Sequence, residues 1–349
     1  MMIEDIIKED KPFYIYGAQV VAYGAYKAIQ HLYNREPVSF IVSNLKNNPS
    51  KIENVPVITL EGISKDSIII ICVTELLQNE ICKTLVENNF KNYFYLTHHE
   101  EYLLMSKYFN SIKKFPVAES SEDNIHVDLE IYETKHHKDK KINNPPQLKS
   151  FERSVQAGAA LTDMKITTLS DDTGDNISQK NRNYCEMTAA YWVWKNSNND
   201  WKGIEHYRRH LLITPEMLGN DVDAILPLPY ICYPDTFAQS RRFVSEDILN
   251  FMLETLEKLY PAQYDNYLKI LNDHYQYAYN MVCAKNNVYN DYCKWLFNIT
   301  NQMELSAEHL PSVLDPRILG YVSEILTSLY FMSNQNKINI RHVEKAIYV

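Results

Sequence analysis

Two α/β domains in tandem are the architecture this sequence predicts, on three observations. The chain has 349 residues, more than one average domain needs and enough for two that each bury a core. Short apolar runs alternate with helix-period segments from its beginning. A polar stretch without apolar period, residues 114–124 (KFPVAESSEDN), then separates a first domain at 1–115 from a second at 124–349.

Residues 11–24 (KPFYIYGAQVVAYG) read as a short buried strand, a glycine turn and a helix reaching about residue 32. Apolar runs at 37–42, 55–60 and 67–73, a helix at 75–88 and a further run at 93–96 continue the alternation of a parallel sheet. The opening is Rossmann-like. Its spacing, Gly17-Ala18-x-x-x-Ala22-x-Gly24, departs from G-x-G-x-x-G, and Val42-Ser43-Asn44 stands where an acidic residue would close the second strand. Both departures argue against NAD and against an oxidoreductase. Tyr16-Gly17-Ala18 and residues 49–57 resemble the YGAG turn and P-x-x-I-x-x-x-P-V stretch of the N-terminal Rossmann-like domain of sugar acyltransferases and other polysaccharide-assembly enzymes.

The net charge of −9 divides into −2 over residues 1–120 (12 basic, 14 acidic) and −7 over the remainder (23 basic, 30 acidic). Neither half has the basic footprint of nucleic-acid binding. The longest apolar run, residues 68–73, is far short of the roughly 20 residues that span a bilayer, and the N-terminus lacks the regions of a signal peptide, so a cytoplasmic location is expected. Six cysteines without a C-x-x-C pair indicate buried thiols, with neither zinc nor a disulfide framework.

The second domain is expected to begin with a strand at 126–132. A polar loop at 133–146 follows, holding Lys135, His136, His137, Lys138, Lys140 and Lys141. A solvated charge run is the ordinary explanation, but the position after the first strand of an α/β unit makes His137 and Lys138 candidates for nucleotide contact. Only eight glycines occur in the chain, so each marks a backbone position with little tolerance for a side chain; Gly158, Gly174 and Gly203 fall in the segments of interest.

Residues 171–176 (DDTGDN) are turn chemistry, with Ser178 placed to cap a helix running to about Lys195. Cys185, Ala189, Trp192 and Val193 give that helix an apolar face and leave Asn181 and Glu186 for other work. Capping accounts for one of Asp171, Asp172 and Asp175. Three carboxylates in five residues repel one another unless a cation, hydroxyls or amides compensate, which makes Asp172, Asp175 and Asn176 candidates for holding a donor ribose or sugar.

Residues 201–205 read as a strand with His206-Tyr207-Arg208-Arg209 at its carboxyl end, the ligand-facing position in α/β sheets. In nucleotide-sugar transferases of the A-type fold the corresponding strand usually ends in Asp-x-Asp, which holds a divalent ion against the diphosphate. Here the slot holds His206-x-Arg208. Guanidinium groups neutralise a diphosphate through bidentate hydrogen bonds, so no metal is required if Arg208 and Arg209 replace it, although Mn²⁺ or Mg²⁺ stays open. For one of the two arginines a surface ion pair is the bland reading. Asp221-Val222-Asp223, the one literal Asp-x-Asp, precedes a strand at 224–229 instead of ending one and is not favoured as a metal site. Further on, a strand at 277–285 contains Asn280, either a core amide or a substrate contact, and an amphipathic helix covers 289–299. Asp315-Pro316-Arg317-x-x-Gly320-Tyr321-x-x-Glu324 opens a last helix in which Arg317 pairs with Glu324, or Glu324 faces an acceptor hydroxyl.

Residues 156–159, 172–196 (with D-x-x-G-D-N-I-S-x-K-N-x-x-Y-C-E leading into Y-W-x-W-K-N), 206–209 (H-Y-R-R), Asn280-Met281, 292–297 and 317–324 together resemble a bacterial family of unknown-function domains from capsular and exopolysaccharide gene clusters. That family is regarded as glycosyltransferases, often of galactose or galactofuranose. The match spans residues 124–349; the family's Thr-His-Lys element is present with altered spacing at 134–138. The resemblance implies an A-type, mixed-sheet nucleotide-sugar glycosyltransferase-like domain beside the Rossmann-like one. It implies a UDP-sugar donor, a saccharide or lipid-linked acceptor, and peripheral contact with the inner membrane face, for which Arg241-Arg242-Phe243 is a candidate. The expected catalytic residues are Glu324 or Asp315 as base and His206; the expected donor contacts are His137, Lys138, Gly158, Asp172, Asp175, Asn176, Asn181, Arg208, Arg209, Asn280 and Arg317. The competing reading is a non-catalytic sugar-nucleotide-binding or scaffold subunit of a polysaccharide-assembly complex.

Overall fold

The computed structural model describes residues 3–9, 11–121 and 127–349; residues 122–124 of the expected linker and His126 of the expected strand lie outside them. Contacts divide the chain into two units, residues 1–116 with 230–234 and 349, and residues 117–229 with 235–348. Val117 and Ala118, inside the expected linker, join the second unit through a bridge to His342 and a hydrogen bond from the Ala118 amide to the His342 carbonyl.

The first unit runs α1 (Ile3–Lys8), β1 (Phe13–Tyr16), α2 (Val20–Tyr33), β2 (Phe40–Ile41), β3 (Lys51–Ile52), β4 (Val55–Ile58), β5 (Ile68–Ile71), α3 (Glu75–Glu87), β6 (Tyr93–Tyr95), α4 (His98–Ser111). Its sheet order is β3-β4-β2-β1-β5-β6, parallel from β4 to β6. Ile69, Ile70 and Ile71 are fully buried, which is why β5 is a continuous apolar run: a strand covered on both faces has no polar side to alternate with. Gly17 turns the chain from β1 towards α2 at φ 127°, where a Cβ would stand 2.5 Å from the Cys72 carbonyl oxygen. Gly24 lies inside α2. The first glycine thus serves close strand packing and the second a helix contact.

The second unit contains β7 (Leu129–Lys135), β8 (Glu152–Gln156), β9 (Leu169–Ser170), α5 (Asn181–Tyr184), α6 (Met187–Asn196), β10 (Trp201–His206), β11 (Arg209–Leu211) and β12 (Ala224–Pro227). β13 (Tyr230–Ile231) then belongs to the first unit and packs on α2. There follow α7 (Thr236–Ser240), α8 (Glu246–Leu259), α9 (Tyr264–Leu271), β14 (Tyr275–Gln276), β15 (Val282–Lys285), α10 (Asn286–Leu305), α11 (Ile318–Ser333), β16 (Ile340–Val343) and β17 (Lys345–Ile347). The main sheet has the order β16-β12-β15-β10-β7-β8-β9, with β11 joining β10 to β17. β9, β8, β7 and β10 are parallel, whereas β15 is antiparallel to β10 and β12. Ile131, Trp201, Ile225 and Cys283 build its core on one face. At Gly203 the register opposes Cys283, and a Cβ would meet the Val282 carbonyl oxygen at 2.6 Å.

Three expected elements differ. The first strand runs from Leu129 to Lys135, so Glu133 and Thr134 are buried in the sheet and not in a loop. The helix expected from Ser178 to Lys195 breaks at Cys185, which adopts φ 52° and ψ −133° between α5 and α6. The expected strand at 277–285 begins only at Val282, because Tyr279 and Asn280 take left-handed backbone at φ 72° and 53°. Five of the six cysteines are buried, and all six are free.

Candidate active site

The order β9-β8-β7-β10 places the first and fourth parallel strands of the second unit side by side, the point at which an open α/β sheet reverses and leaves a crevice beyond its carboxyl ends. That crevice is present. A cleft of about 620 Å³ is lined by residues 134–140 at and beyond the end of β7, by Ala157 and Leu161 after β8, by His206, Tyr207 and Arg208 at and beyond the end of β10, and by Asn181, Arg182, Cys185, Glu186 and Arg317. In a chain of net charge −9, this cleft gathers Lys135, Lys138, Lys140, Arg182, Arg208 and Arg317. Against these six cations the lining has two carboxyls, Asp139 and Glu186, and a concave site with such an excess of positive charge favours an anion.

Several buried polar atoms here lack partners. Arg208 Nε, Arg209 Nε and His137 Nδ1 are buried without a hydrogen-bond partner. Arg209 lies over the Tyr279 ring at 3.9 Å and brings Nη1 to 3.5 Å from His206 Nδ1. Burial, then the charges of Arg209, Arg208 and Arg317, depresses His206 to about 3, so at neutral pH its imidazole is neutral. Burial also lowers the neighbouring His136, helped by His137 and Lys138, and pushes Asp139 up to about 6.

Behind these cations stand two carboxyls. Asn280 donates to Glu186 Oε1 (2.9 Å) and to the Gly320 carbonyl (3.2 Å). The Tyr279 amide donates to Glu324 Oε2 (3.1 Å). Burial raises Glu186, and burial followed by the Glu186 charge pushes Glu324 up to about 7, with Arg209 and Arg317 opposing. Cys185, Tyr279, Asn280 and Arg317 all have positive φ. Strained backbone of this kind, at of order 1–3 kcal/mol per residue, concentrates where function needs a fixed side chain.

Of the residues expected from sequence, His137, Lys138, Asn181, His206, Arg208 and Arg317 line the cleft. Arg209, Asn280 and Glu324 join it through His206 and Glu186. Gly158, at φ 67°, underlies Asn181, which a Cβ would approach to 2.6 Å. Asp172, Asp175 and Asn176 are not among the lining residues. Asp172 accepts from Ser170, Asp175 from Tyr191, and Asn176 spans its own turn between the Gly174 carbonyl and the Ser178 amide. Asp171, fully buried, accepts from the amides of Gly158 (2.9 Å) and Ala159 (3.0 Å) and from Ser178. Asp315 is exposed ahead of α11 and does not line the cleft. Asp223 pairs with Lys285 and Asp221 with Arg341, just ahead of β12.

Glu186 is the residue whose role sequence reasoning left unassigned, because the break at Cys185 that turns it to the cleft has no glycine or proline to announce it. A second unforeseen group lies beneath the β10–β11 turn. His210 is 3.2 Å from Glu205 and 3.5 Å from Glu133, and Glu152, Glu205 and His210 bring ligand-type atoms within 4.8 Å of one another. Burial, then Glu152, raises Glu205 well above the ordinary carboxyl range, and Lys149 sits 3.5 Å from Glu152. Glu205 Oε1 and His210 Nε2 are also buried without a hydrogen-bond partner, and the group underlies the turn that presents Tyr207 to Arg209.

The end of β10 does not offer the carboxylate pair that holds a hard divalent ion. Such ions take ionised oxygens, and β10 ends instead in a neutral imidazole and a guanidinium, with Asp139 and Glu186 the lining carboxyls.

The second unit is thus a mixed α/β fold, a parallel core continued by antiparallel strands with a cationic crevice where its strand order reverses. The chain belongs to the family described as Domain of unknown function (DUF4422), whose model matches residues 130–336. Among solved structures it is similar to the apo structure of the bifunctional glycosyltransferase WbbM, at 24% identity and a TM-score of 0.55, over 63% of this chain and 45% of that one. The chain thus spans less than half of that structure, and the likeness is one of fold. No curated protein matches it. Among the described residues no helix is long and apolar enough to cross a membrane.

Proposed function

We infer that the second unit is a glycosyltransferase that moves a hexose, galactose or galactofuranose favoured, from a UDP-sugar to a saccharide or lipid-linked acceptor in capsule, exopolysaccharide or O-antigen synthesis. The observation that carries this reading is the buried, unpartnered Arg208 Nε in a cationic cleft at a sheet reversal, with the equally unpartnered Arg209 Nε behind it. Unpaired buried donors are costly, so they mark where an acceptor-rich ligand belongs. A diphosphate supplies acceptors in the bidentate geometry that guanidinium matches. The fold shared with WbbM is consistent with the reading, and the family resemblance favours the sugar.

In this account Arg208, Arg209 and Arg317, with Lys138, bind the diphosphate and stabilise the charge that develops as the glycosidic bond to it breaks. His206 stays neutral and orients Arg209. Glu324, pushed up to about 7, removes the acceptor hydroxyl proton, and a base with that affinity is matched to neutral pH. Glu186 shares its charge environment. No divalent ion takes part, because the arginines do the electrostatic work. The test is UDP release from UDP-galactose, with UDP-glucose and UDP-N-acetylglucosamine for comparison, in the presence of galactose-terminated oligosaccharides. Faster release with one donor and an acceptor supports the reading. UDP binding without release from any donor assigns the chain to the non-catalytic, sugar-nucleotide-binding alternative.

A further inference from the structure

A second hollow, of about 510 Å³, lies in the same unit and has no part in the chemistry above. It shares a wall with the cleft. Residues 177–186 give Asn181, Arg182, Cys185 and Glu186 to the cleft and Ile177, Lys180 and Tyr184 to the hollow. α6 contributes Tyr191 and Trp194, α10 contributes Phe297, Asn298 and Asn301, and Tyr260 closes the rim.

The rings are fixed in place. Trp194 and Phe297 are parallel within 3°, with centroids 5.8 Å apart, and Tyr191 stands edge-on to both at 5.4 and 5.1 Å. Lys195, an exposed side chain, places its ammonium 3.6 Å from the Trp194 centroid, and a sugar reaches that ring face by displacing it. Glu304 ties down the wall by accepting from Lys180 (2.6 Å) and Tyr184 (3.3 Å), and Asn298 donates to the Tyr260 hydroxyl at 3.1 Å. Asn298, Asn301 and Lys294 are exposed at the mouth, and Tyr191, Trp194 and Tyr260 are partly exposed.

Rigid aromatic surface bordered by amides and an ammonium is two-sided chemistry: rings for the C–H face of a pyranose, polar groups for its hydroxyls. A docked helix of another protein would want a continuous apolar groove, and here exposed amides interrupt it. We propose that this hollow is a saccharide-binding subsite that holds the acceptor chain some residues away from its reacting end. The proposal rests on the transferase reading for the identity of that chain as acceptor. The shared wall gives the geometry: a chain leaving the cleft across α5 enters the hollow, and holding it there raises the effective concentration of its end at Glu324 without altering the donor site.

The test uses the full chain and two variants that leave the cleft untouched, Trp194→Ala and the double change Asn298→Ala with Asn301→Ala. Each is applied to an array of capsule and O-antigen oligosaccharides graded in length, with UDP titrated in parallel. The expected result is retention of glycans of three or more residues by the unaltered chain, a drop of roughly tenfold or more in both variants, the scale of losing an aromatic anchor, and unchanged UDP affinity. Unchanged UDP affinity also reports an intact fold. Retention of no glycan by the unaltered chain, or equal retention by all three proteins, overturns the subsite. Glycan binding that depends on Trp194 in a chain that fails to bind UDP leaves the subsite standing and removes the transferase reading instead.

Discussion

Both units lay their first four parallel strands in the order third, second, first, fourth, so each has a crevice where strand order reverses, β1 beside β5 in one and β7 beside β10 in the other. The two crevices are furnished differently. At the first, Gly17 packs against the Cys72 carbonyl, Tyr16 hydrogen-bonds Ser43, and the nearest ionisable pair, Glu75 with His98, satisfies itself across the starts of α3 and α4. At the second, arginine and histidine atoms are buried with their hydrogen-bonding capacity unspent. Topology supplies a place for a ligand, and side chains decide whether one is wanted. The first crevice brings Gly17 close to the Cys72 carbonyl, and the second gathers cations suited to an anion.

The largest effect that sharpens this contrast is expected from Arg208→Ala combined with Arg209→Ala. Each charge-assisted hydrogen bond is worth about 1.5–3 kcal/mol, so UDP affinity should fall on the order of 100-fold or more by calorimetry. Retained affinity would erase the difference between the crevices. Next comes Glu324→Gln, expected to cost about 10²–10⁴ in kcat with UDP affinity unaltered. Glu324 is raised to about 7 and works as a base only when ionised, so the rate should climb as pH rises through about 7 in the unaltered chain and become flat there in the variant.

Gly17→Ala should separate stability from binding. A Cβ 2.5 Å from a carbonyl oxygen at φ 127° calls for a loss of about 1–3 kcal/mol, seen in thermal denaturation, with UDP affinity unchanged; a loss of UDP binding would give the first crevice a share in the ligand. His206 offers a smaller, pH-dependent effect. Burial and the arginines depress it from 6.5 to about 3, so the folded state takes up its proton less readily than the unfolded chain. Its contribution to stability is complete above pH 6.5 and is lost as pH falls towards 3. His206→Gln should therefore melt with a shallower acid dependence across that interval, and an identical dependence would contradict the assigned neutral state. The smallest effect is expected from Asp175→Asn, a turn residue outside the cleft: UDP affinity should move by less than about threefold, within the range of a surface substitution.

Most strands of the first unit were legible because a strand buried on both faces must be a short apolar run, as in β5, and β7, β10 and β12 were also expected, whereas β8, β9, β11, β16 and β17, short or carrying polar residues, were not foreseen. The cluster of acidic residues was harder to read. Turns and ligand sites draw on the same residue types, and Asp172, Asp175 and Asn176 spend their oxygens on Ser170, Tyr191 and Ser178. The break at Cys185 left no local mark either. Residues 181–196 have helical composition throughout, and the left-handed turn is held by Asn181, which donates to the Cys185 carbonyl and to Thr188. Without that turn Glu186 has no path to the cleft, so its place beside Asn280 and Glu324 was visible only in three dimensions.

The central claim is that arginines, not a metal, receive the diphosphate at the β7–β10 crevice. Its most direct measurement is calorimetric titration of UDP and UDP-galactose in EDTA and in Mn²⁺, on the unaltered chain and on Arg208→Ala. Binding that persists in EDTA and is lost in the variant is the predicted result. Binding that requires Mn²⁺ and ignores Arg208 would contradict it and move the diphosphate to carboxylates.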